Sequence, residues 1–225
     1  PEQPATTEVI LRPTAGGWRA ALGWLYEKYP TYFRPGHPDA WELLDGGFMG
    51  GGPHSTPEEA DIAREHGARA VEIHHHYPNY GHYFPSEGEW HCVEDEQEHP
   101  ITPTRIRGTI EMFHERGMKP LLYIQLAGDA VRDYAEEHFP ESIALNTDGN
   151  RMGQDRYDVW MMNSDPSLPF GRHITAEIDN FFDLYPEAGG IFWDQPCYDD
   201  IDIAHHDGVT MVENTPAYML RFCYQ

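Results

Sequence analysis

Amphipathic segments and short apolar runs alternate along this chain, and glycine or proline marks most of the joints between them. Trp18, Leu22 and Leu25 fall on one face at helical spacing, which predicts a helix over 18–26 that Pro30 ends. Gly46–Gly52 reads as a short strand running into a tight glycine turn. Thr56, Pro57 and Glu59 then combine an N-cap, a first-turn proline and a capping box, so a helix is expected to His66 with Gly67 as its stop. Ala68–His76 is the next expected strand, broken by Tyr77-Pro78-Asn79-Tyr80-Gly81, and a long loop carrying His82, His91 and His99 reaches Pro100.

The device recurs. Thr102-Pro103 opens a helix with Ile106, Ile110 and Phe113 on one face, Gly117 closes it, and Met118–Leu126 is expected to be a strand. A helix is expected near Asp129–His138, and Asn146-Thr147-Asp148-Gly149-Asn150 predicts a turn within a long excursion. Ser164-Asp165-Pro166 reads as another helix start, leading to Ile174, Ile178, Phe181 and Phe182 on one face and a stop near Pro186. Gly189–Asp194 is an apolar run that ends on a carboxylate, and Thr215-Pro216 is expected to open a last helix that runs to Gln225.

Helix, glycine, strand in repetition is the grammar of an α/β protein. Strand ends near Met49, His76, Gln125 and Asp194 give four strand–helix units. A complete (β/α) barrel takes about 250 residues and eight units. The fold expected is therefore a (β/α) barrel type, as the first half of a TIM barrel, with residues 1–45 as an N-terminal segment with a helix and 46–225 as the barrel portion, incomplete at its C-terminus. Covering the open edge then calls for a missing C-terminal half or a homo-oligomer.

Composition narrows the partners. Of 225 residues, 15 are Lys or Arg and 38 are Asp or Glu, a net charge of −23, which argues against nucleic acid and against an anionic membrane surface. No apolar stretch approaches a membrane span, and Pro1-Glu2-Gln3-Pro4 has neither initiator Met nor signal core, so a processed or excised chain is expected. The charge suits a secreted or extracellular protein. Cys92, Cys197 and Cys223 fit no zinc or disulfide pattern, and Gly46–Gly52 is not a dinucleotide loop, so no cofactor is expected.

Asp194 is the candidate catalytic residue, because the carboxyl end of a buried parallel strand is where barrel chemistry sits. The stretch Gly117-Met118-Lys119-Pro120-Leu121-Leu122-Tyr123-Ile124, then Trp160-Met161-Met162-Asn163-Ser164-Asp165-Pro166, then Gly190-Ile191-Phe192-Trp193-Asp194 resembles the third-to-fourth-strand region of clan D glycoside hydrolases, the α-galactosidase type, over about residues 117–196. That resemblance implies a retaining mechanism on a carbohydrate substrate with Asp194 as nucleophile. The family commonly has Lys two residues before the nucleophile, where this chain has Phe192, and its acid/base follows the sixth strand, outside this chain or on another subunit. Within the chain only Asp199, Asp200 and Asp202 offer themselves as an acid/base.

Sugar-binding residues are expected at the strand ends: His74, His76, Tyr123, Gln125, Trp160, Asn163, Trp193 and Gln195. By strand alternation His74 and His76 share one face and His75 takes the other. Two further readings compete with the glycosidase. One is a metal-dependent hydrolase on His74 and His76, with a third ligand from His82, His91, Glu72 or Asp194. The other is a non-catalytic carbohydrate-binding or self-assembling protein on a half-barrel scaffold.

Overall fold

The computed structural model describes residues 13, 18–33, 43, 46–95, 99–125, 128–194, 201–206, 211–212, 215–216 and 218–219. By its contacts the chain divides into two compact units, Pro1–Asp45 and Gly46–Gln225. The first contains α1 (Trp18–Lys28) and the short α2 (Pro30–Phe33), where Tyr26 and Phe33 meet edge to face at 4.6 Å.

The second unit is built on four parallel strands, β1 (Gly47–Gly51), β2 (Ala68–Ile73), β3 (Lys119–Gln125) and, after the excursion described below, the strand Gly190–Asp194. Their order in the sheet is their order in the chain, with parallel pairing throughout. Helices make the crossovers. Helix α3 (Pro57–Glu65) starts on the expected capping box, Thr56 Oγ1 accepting from the Glu59 amide at 3.3 Å and Glu59 Oε2 accepting from the Thr56 amide at 2.7 Å. Helix α4 (Pro103–His114) is capped by Thr102 and buries Ile106, Ile110 and Phe113. Gly67 (φ +87°) and Gly117 (φ +72°) follow these helices in the left-handed conformation that ends them. Burying each large apolar side chain of α4 contributes about 1.5–3 kcal/mol, which is what fixes that helix to the sheet.

Between β3 and the fourth sheet strand the chain makes a compact excursion. Strand β4 (Asp129–Val131) precedes helix α5 (Arg132–His138), so the expected helix at 129–138 begins three residues late: Asp129–Val131 pairs antiparallel with a later strand instead. Strands β5 (Gly153–Gln154) and β6 (Val159–Met161) complete a three-stranded sheet in the order β4-β6-β5. The expected turn is present, Asn146 Oδ1 accepting from the amides of Asp148 and Asn150 at 3.0 and 2.9 Å.

Helix α6 (Pro169–Leu184) starts five residues after the expected Ser164. The reason is local: Asn163 Oδ1 accepts from the Asp165 amide and Asp165 Oδ1 from the Ser167 amide, so these residues fold as side-chain-stapled turns. Ile174 and Phe181 are buried as expected, but Phe182 is 62% exposed, one position beyond the apolar face. The helix delivers the chain to β7 (Gly190–Asp194).

One further expectation fails. The last helix is absent at its predicted start: Thr215–Pro216 is β10, paired antiparallel with β9 (Met211–Val212), while β11 (Tyr218–Met219) pairs with β8 (Ile201–Asp202). Proline is tolerated there because a two-stranded ribbon leaves one edge without ladder bonds. Among the described residues the parallel sheet stays open, with β1 and β7 at its edges, a partial (β/α) fold in keeping with the four expected strand–helix units.

Candidate active site

Register decides which side chains share a face. Tyr123 pairs with Phe192 and Gln125 with Asp194, while Ile124 pairs with Trp193. One face therefore carries Phe48, Glu72, Tyr123, Gln125, Phe192 and Asp194, and the other carries Val71, Ile73, Leu122, Ile124 and Trp193. The apolar residues of that second face on β2 and β3 are wholly buried. On the first face Phe48, Phe192 and Tyr123 stack in a row, with ring centroids 5.2 and 6.1 Å apart. Phe48 is 52% exposed, so the row opens to solvent at β1.

Asp194 closes β7 at the carboxyl end of this face. Its Oδ2 accepts from the Tyr123 hydroxyl at 3.0 Å. The same hydroxyl also lies within hydrogen-bonding reach of Gln125 Oε1. A phenol has one proton, so Asp194 and Gln125 compete for it. Gln125 is oriented by Asp129, whose Oδ2 accepts from the amide Nε2 at 3.3 Å, and Tyr83 OH donates to the Gln125 carbonyl at 2.9 Å. Burial, together with the neighbouring Asp194 charge, pushes the Tyr123 phenol well above its ordinary range, so it acts as a neutral donor.

Beside Tyr123 lies His74, with ring centroids 3.8 Å apart. Its Nδ1 donates to Glu72 Oε1 at 2.5 Å, and its Nε2 is 3.5 Å from Glu94 Oε2 and 3.1 Å from the Tyr77 hydroxyl, which itself donates to Glu94. Burial opposes charge on this ring, but hydrogen bonds and charges from Glu72 and Glu94 outweigh it and lift His74 to about 9. Burial likewise works against the Glu94 carboxylate, yet hydrogen bonds from His74, Tyr77 and Tyr80 hold it down to about 2.

The structure brings together Asp194, Tyr123, Gln125 and His74, and places His76, Trp160, Asn163 and Trp193 elsewhere. His76 is fully buried, stacked on Phe84 with Nε2–H donating to the Tyr123 carbonyl at 2.8 Å, and desolvation lowers it to about 4. The physical reason is that β2 ends at Ile73, and His75 takes a left-handed φ of +54°, so strand alternation does not extend to 74–76. His74 and His76 consequently do not converge on one ion, and His91 is exposed on the loop. Trp193 faces away from Asp194. Trp160 lies in the excursion, its ring under the Arg132 guanidinium at 4.2 Å and its Nε1 donating to Glu136 at 2.9 Å.

Asn163 is 1% exposed, and its Nδ2 donates to Asp202 Oδ2 at 2.9 Å. Asp202 is itself fully buried and also accepts from the amides of Leu145 and Ala204 and from His205, which uses it as a structural anchor and removes it from the acid/base candidates. Gln195, Asp199, Asp200, Cys197 and Cys223 lie outside the described residues. Cys92 is a free, buried thiol that burial raises to about 11.

Sequence reasoning missed Glu94, Tyr77 and Glu177. Glu177 on α6 accepts from the amides of Tyr83 and Phe84 at 2.8 and 2.6 Å and from His82 Nδ1 at 2.8 Å, so it pins the 77–100 loop against the helix. Asn180, one turn on, adds a bond to the Phe84 carbonyl at 2.7 Å. The available signal was that Glu177 interrupts an otherwise apolar face at the spacing of Ile174 and Phe181. Next to His75, a cleft of about 550 Å³ opens at the carboxyl end of β1, lined by Gly50–Gly52, His54, Asp95 and His99.

Neither a family model nor a curated protein matches this sequence. Solved structures do. The chain is similar to a cycloisomaltooligosaccharide glucanotransferase from Paenibacillus sp., with a TM-score of 0.51 and 12% identity over 80% of this chain and 26% of that one. It is also similar to an α-amylase from Lactobacillus plantarum (TM-score 0.45, 16% identity, 70% of this chain and 40% of that one). A GH36 α-galactosidase from Geobacillus stearothermophilus gives a TM-score of 0.41 at 11% identity, over 68% of this chain and 21% of that one. This chain thus spans about a quarter of the length of the glucanotransferase. Likeness at that identity speaks to the fold alone, a partial (β/α) architecture of the kind found in carbohydrate-active enzymes.

Proposed function

We propose that the protein is a glycoside hydrolase of retaining type, with Asp194 as the nucleophile, the sheet being part of a TIM barrel of the α-galactosidase clan. The observation that carries this reading is the position of Asp194: an acid at the carboxyl end of a parallel strand, on the aromatic face, accepting from the Tyr123 hydroxyl. In the first step a carboxylate oxygen of Asp194 attacks the anomeric carbon, the glycosidic C–O bond breaks, and the leaving oxygen takes a proton from an acid/base outside the described residues or on another subunit. Water then cleaves the glycosyl ester and returns Asp194 as a carboxylate.

Tyr123 and Gln125 would orient the carboxylate, while Phe48 and Phe192 offer flat apolar surface to a sugar ring. His74, held between Glu72 and Glu94, would bind hydroxyls. An aryl glycoside with an acidic phenol as leaving group needs no proton donor, so it reports on the nucleophile alone. Asp194→Asn should lower its hydrolysis by about 10⁴-fold while the circular dichroism spectrum is retained. Equal turnover in wild type and variant would refute the assignment, and a wild type that binds oligosaccharide without turnover would make the protein a carbohydrate-binding module.

A further inference from the structure

The 74–94 region holds a group of side chains to which the hydrolase reading gives no more than hydroxyl binding by His74. We propose that His74, His75 and Glu94 form a binding site for a first-row transition-metal dication such as zinc, with Glu72 as the outer carboxylate that orients His74.

The ligand atoms of these three residues lie within 4.8 Å of one another. Four-coordinate zinc with bonds near 2.0–2.1 Å sets its ligand atoms ~3.3 Å apart. His74 Nε2 and Glu94 Oε2 are 3.5 Å apart, so these two already sit close to that spacing. The outer shell is in place as well. His74 gives its Nδ1–H to Glu72 at 2.5 Å, the arrangement that fixes a ligating imidazole with Nε2 toward the ion. Tyr77, fully buried, donates to the same Glu94 oxygen that faces His74, and its hydroxyl lies 3.1 Å from His74 Nε2, so an ion binding there takes the place of the Tyr77–His74 bond.

His75 completes the set because β2 stops at Ile73. With φ at +54°, its backbone turns and its ring packs edge-on to His74 at 4.4 Å, instead of pointing to the opposite face as a continuing strand would require. A left-handed conformation at a non-glycine residue costs of order 1–3 kcal/mol and persists where surrounding structure or function requires it. His75 also lines the cleft of about 550 Å³ at the end of β1, which gives an ion and a solvent ligand their way in. Two nitrogens and one carboxylate oxygen suit zinc and its first-row neighbours better than calcium or magnesium, which take oxygen ligands.

A second group, His82, His173 and Glu177, has comparable spacing but is tied to backbone: Glu177 serves two backbone amides, and His173 Nε2 bonds the Gly81 carbonyl at 2.7 Å. It supplies the internal control. Full-length protein without a histidine tag, stripped with chelator, is titrated with zinc against a chromogenic chelator. The wild type should bind one equivalent through this site. His75→Ala, an exposed position whose loss leaves the core intact, and Glu94→Gln should each weaken binding more than about 100-fold, Glu72→Gln about 10–100-fold, and His82→Ala should leave it unchanged. Cobalt loading should give the visible absorption of a low-coordinate site in wild type and not in His75→Ala. Absence of stoichiometric zinc, equal affinity in wild type and the His75 and Glu94 variants, or loss in His82→Ala with retention in His75→Ala would overturn the proposal. Metal affinity is read without glycoside turnover, so this outcome is separate from that of the Asp194 test.

Discussion

At the scale of single residues, the Tyr123 hydroxyl is the hinge of the candidate site. It is buried, neutral, and shared between Asp194 and Gln125. Removing it leaves Asp194 in place but takes away the Tyr123 hydrogen bond. Loss of one such hydrogen bond is worth about 1–1.5 kcal/mol, so Tyr123→Phe should reduce aryl glycoside turnover about tenfold with the substrate KM little changed. A variant with unaltered turnover would place the Tyr123 proton on Gln125 throughout the reaction. His76 shows how the same residue type can be consumed by packing. Two positions from His74, it is sealed against Phe84 and bonds a β3 carbonyl, because the chain leaves β2 at Ile73.

Among the elements, the excursion between β3 and α6 is held by one buried carboxylate. Asp202 accepts from Asn163, His205 and the amides of Leu145 and Ala204. Burial opposes its charge, but those bonds outweigh it and keep its carboxyl below 3.8, while the bond to Asp202 raises His205 above 6.5. A depressed carboxyl stabilises the fold above its unfolded value and loses that contribution as pH falls through the folded one. A raised histidine contributes fully below its unfolded value and loses it as pH rises through the folded one. The pair should therefore stabilise most between 3.8 and 6.5. In urea unfolding, the stability difference between wild type and His205→Ala should be largest there and shrink above it. A difference that stays constant up to pH 9 would contradict the coupling.

The elements also show what could be read from sequence. Helices α3 and α4 were legible because Thr56, Glu59, Thr102 and the stops Gly67 and Gly117 act locally, within a turn of the residues they cap. The start of α6 was not, because Ser164-Asp165-Pro166 carries the same residue types as a cap but Asn163 draws them into turns. Thr215-Pro216 misled for the same reason, its fate being decided by pairing with Met211–Val212. Asp194, Tyr123 and Gln125 were legible as strand ends. Glu94 and Tyr77 were not, since a long loop without periodicity gives no register from which to infer that they meet His74.

For the whole molecule, charge dominates. A net charge of −23 over 225 residues means self-repulsion in the compact state, screened over about 10 Å at 0.1 M salt. The thermal midpoint should rise as sodium chloride increases from about 20 mM to about 500 mM. A flat or falling midpoint would mean that attractive pairs such as His74 with Glu72 and Glu94, and not repulsion, set the electrostatic balance. The aromatic row Phe48–Phe192–Tyr123 opens to solvent at β1, and Asp194 stands at its carboxyl end, so chemistry and exposure coincide on one face of the sheet.

The nucleophile assignment is tested most directly by trapping the glycosyl ester. Incubation with an activated fluorinated glycoside, whose second step is slow, should add one glycosyl mass per chain, and peptide mapping should place it on Asp194. An adduct on another carboxylate, or an adduct of equal yield in Asp194→Asn, would contradict the account.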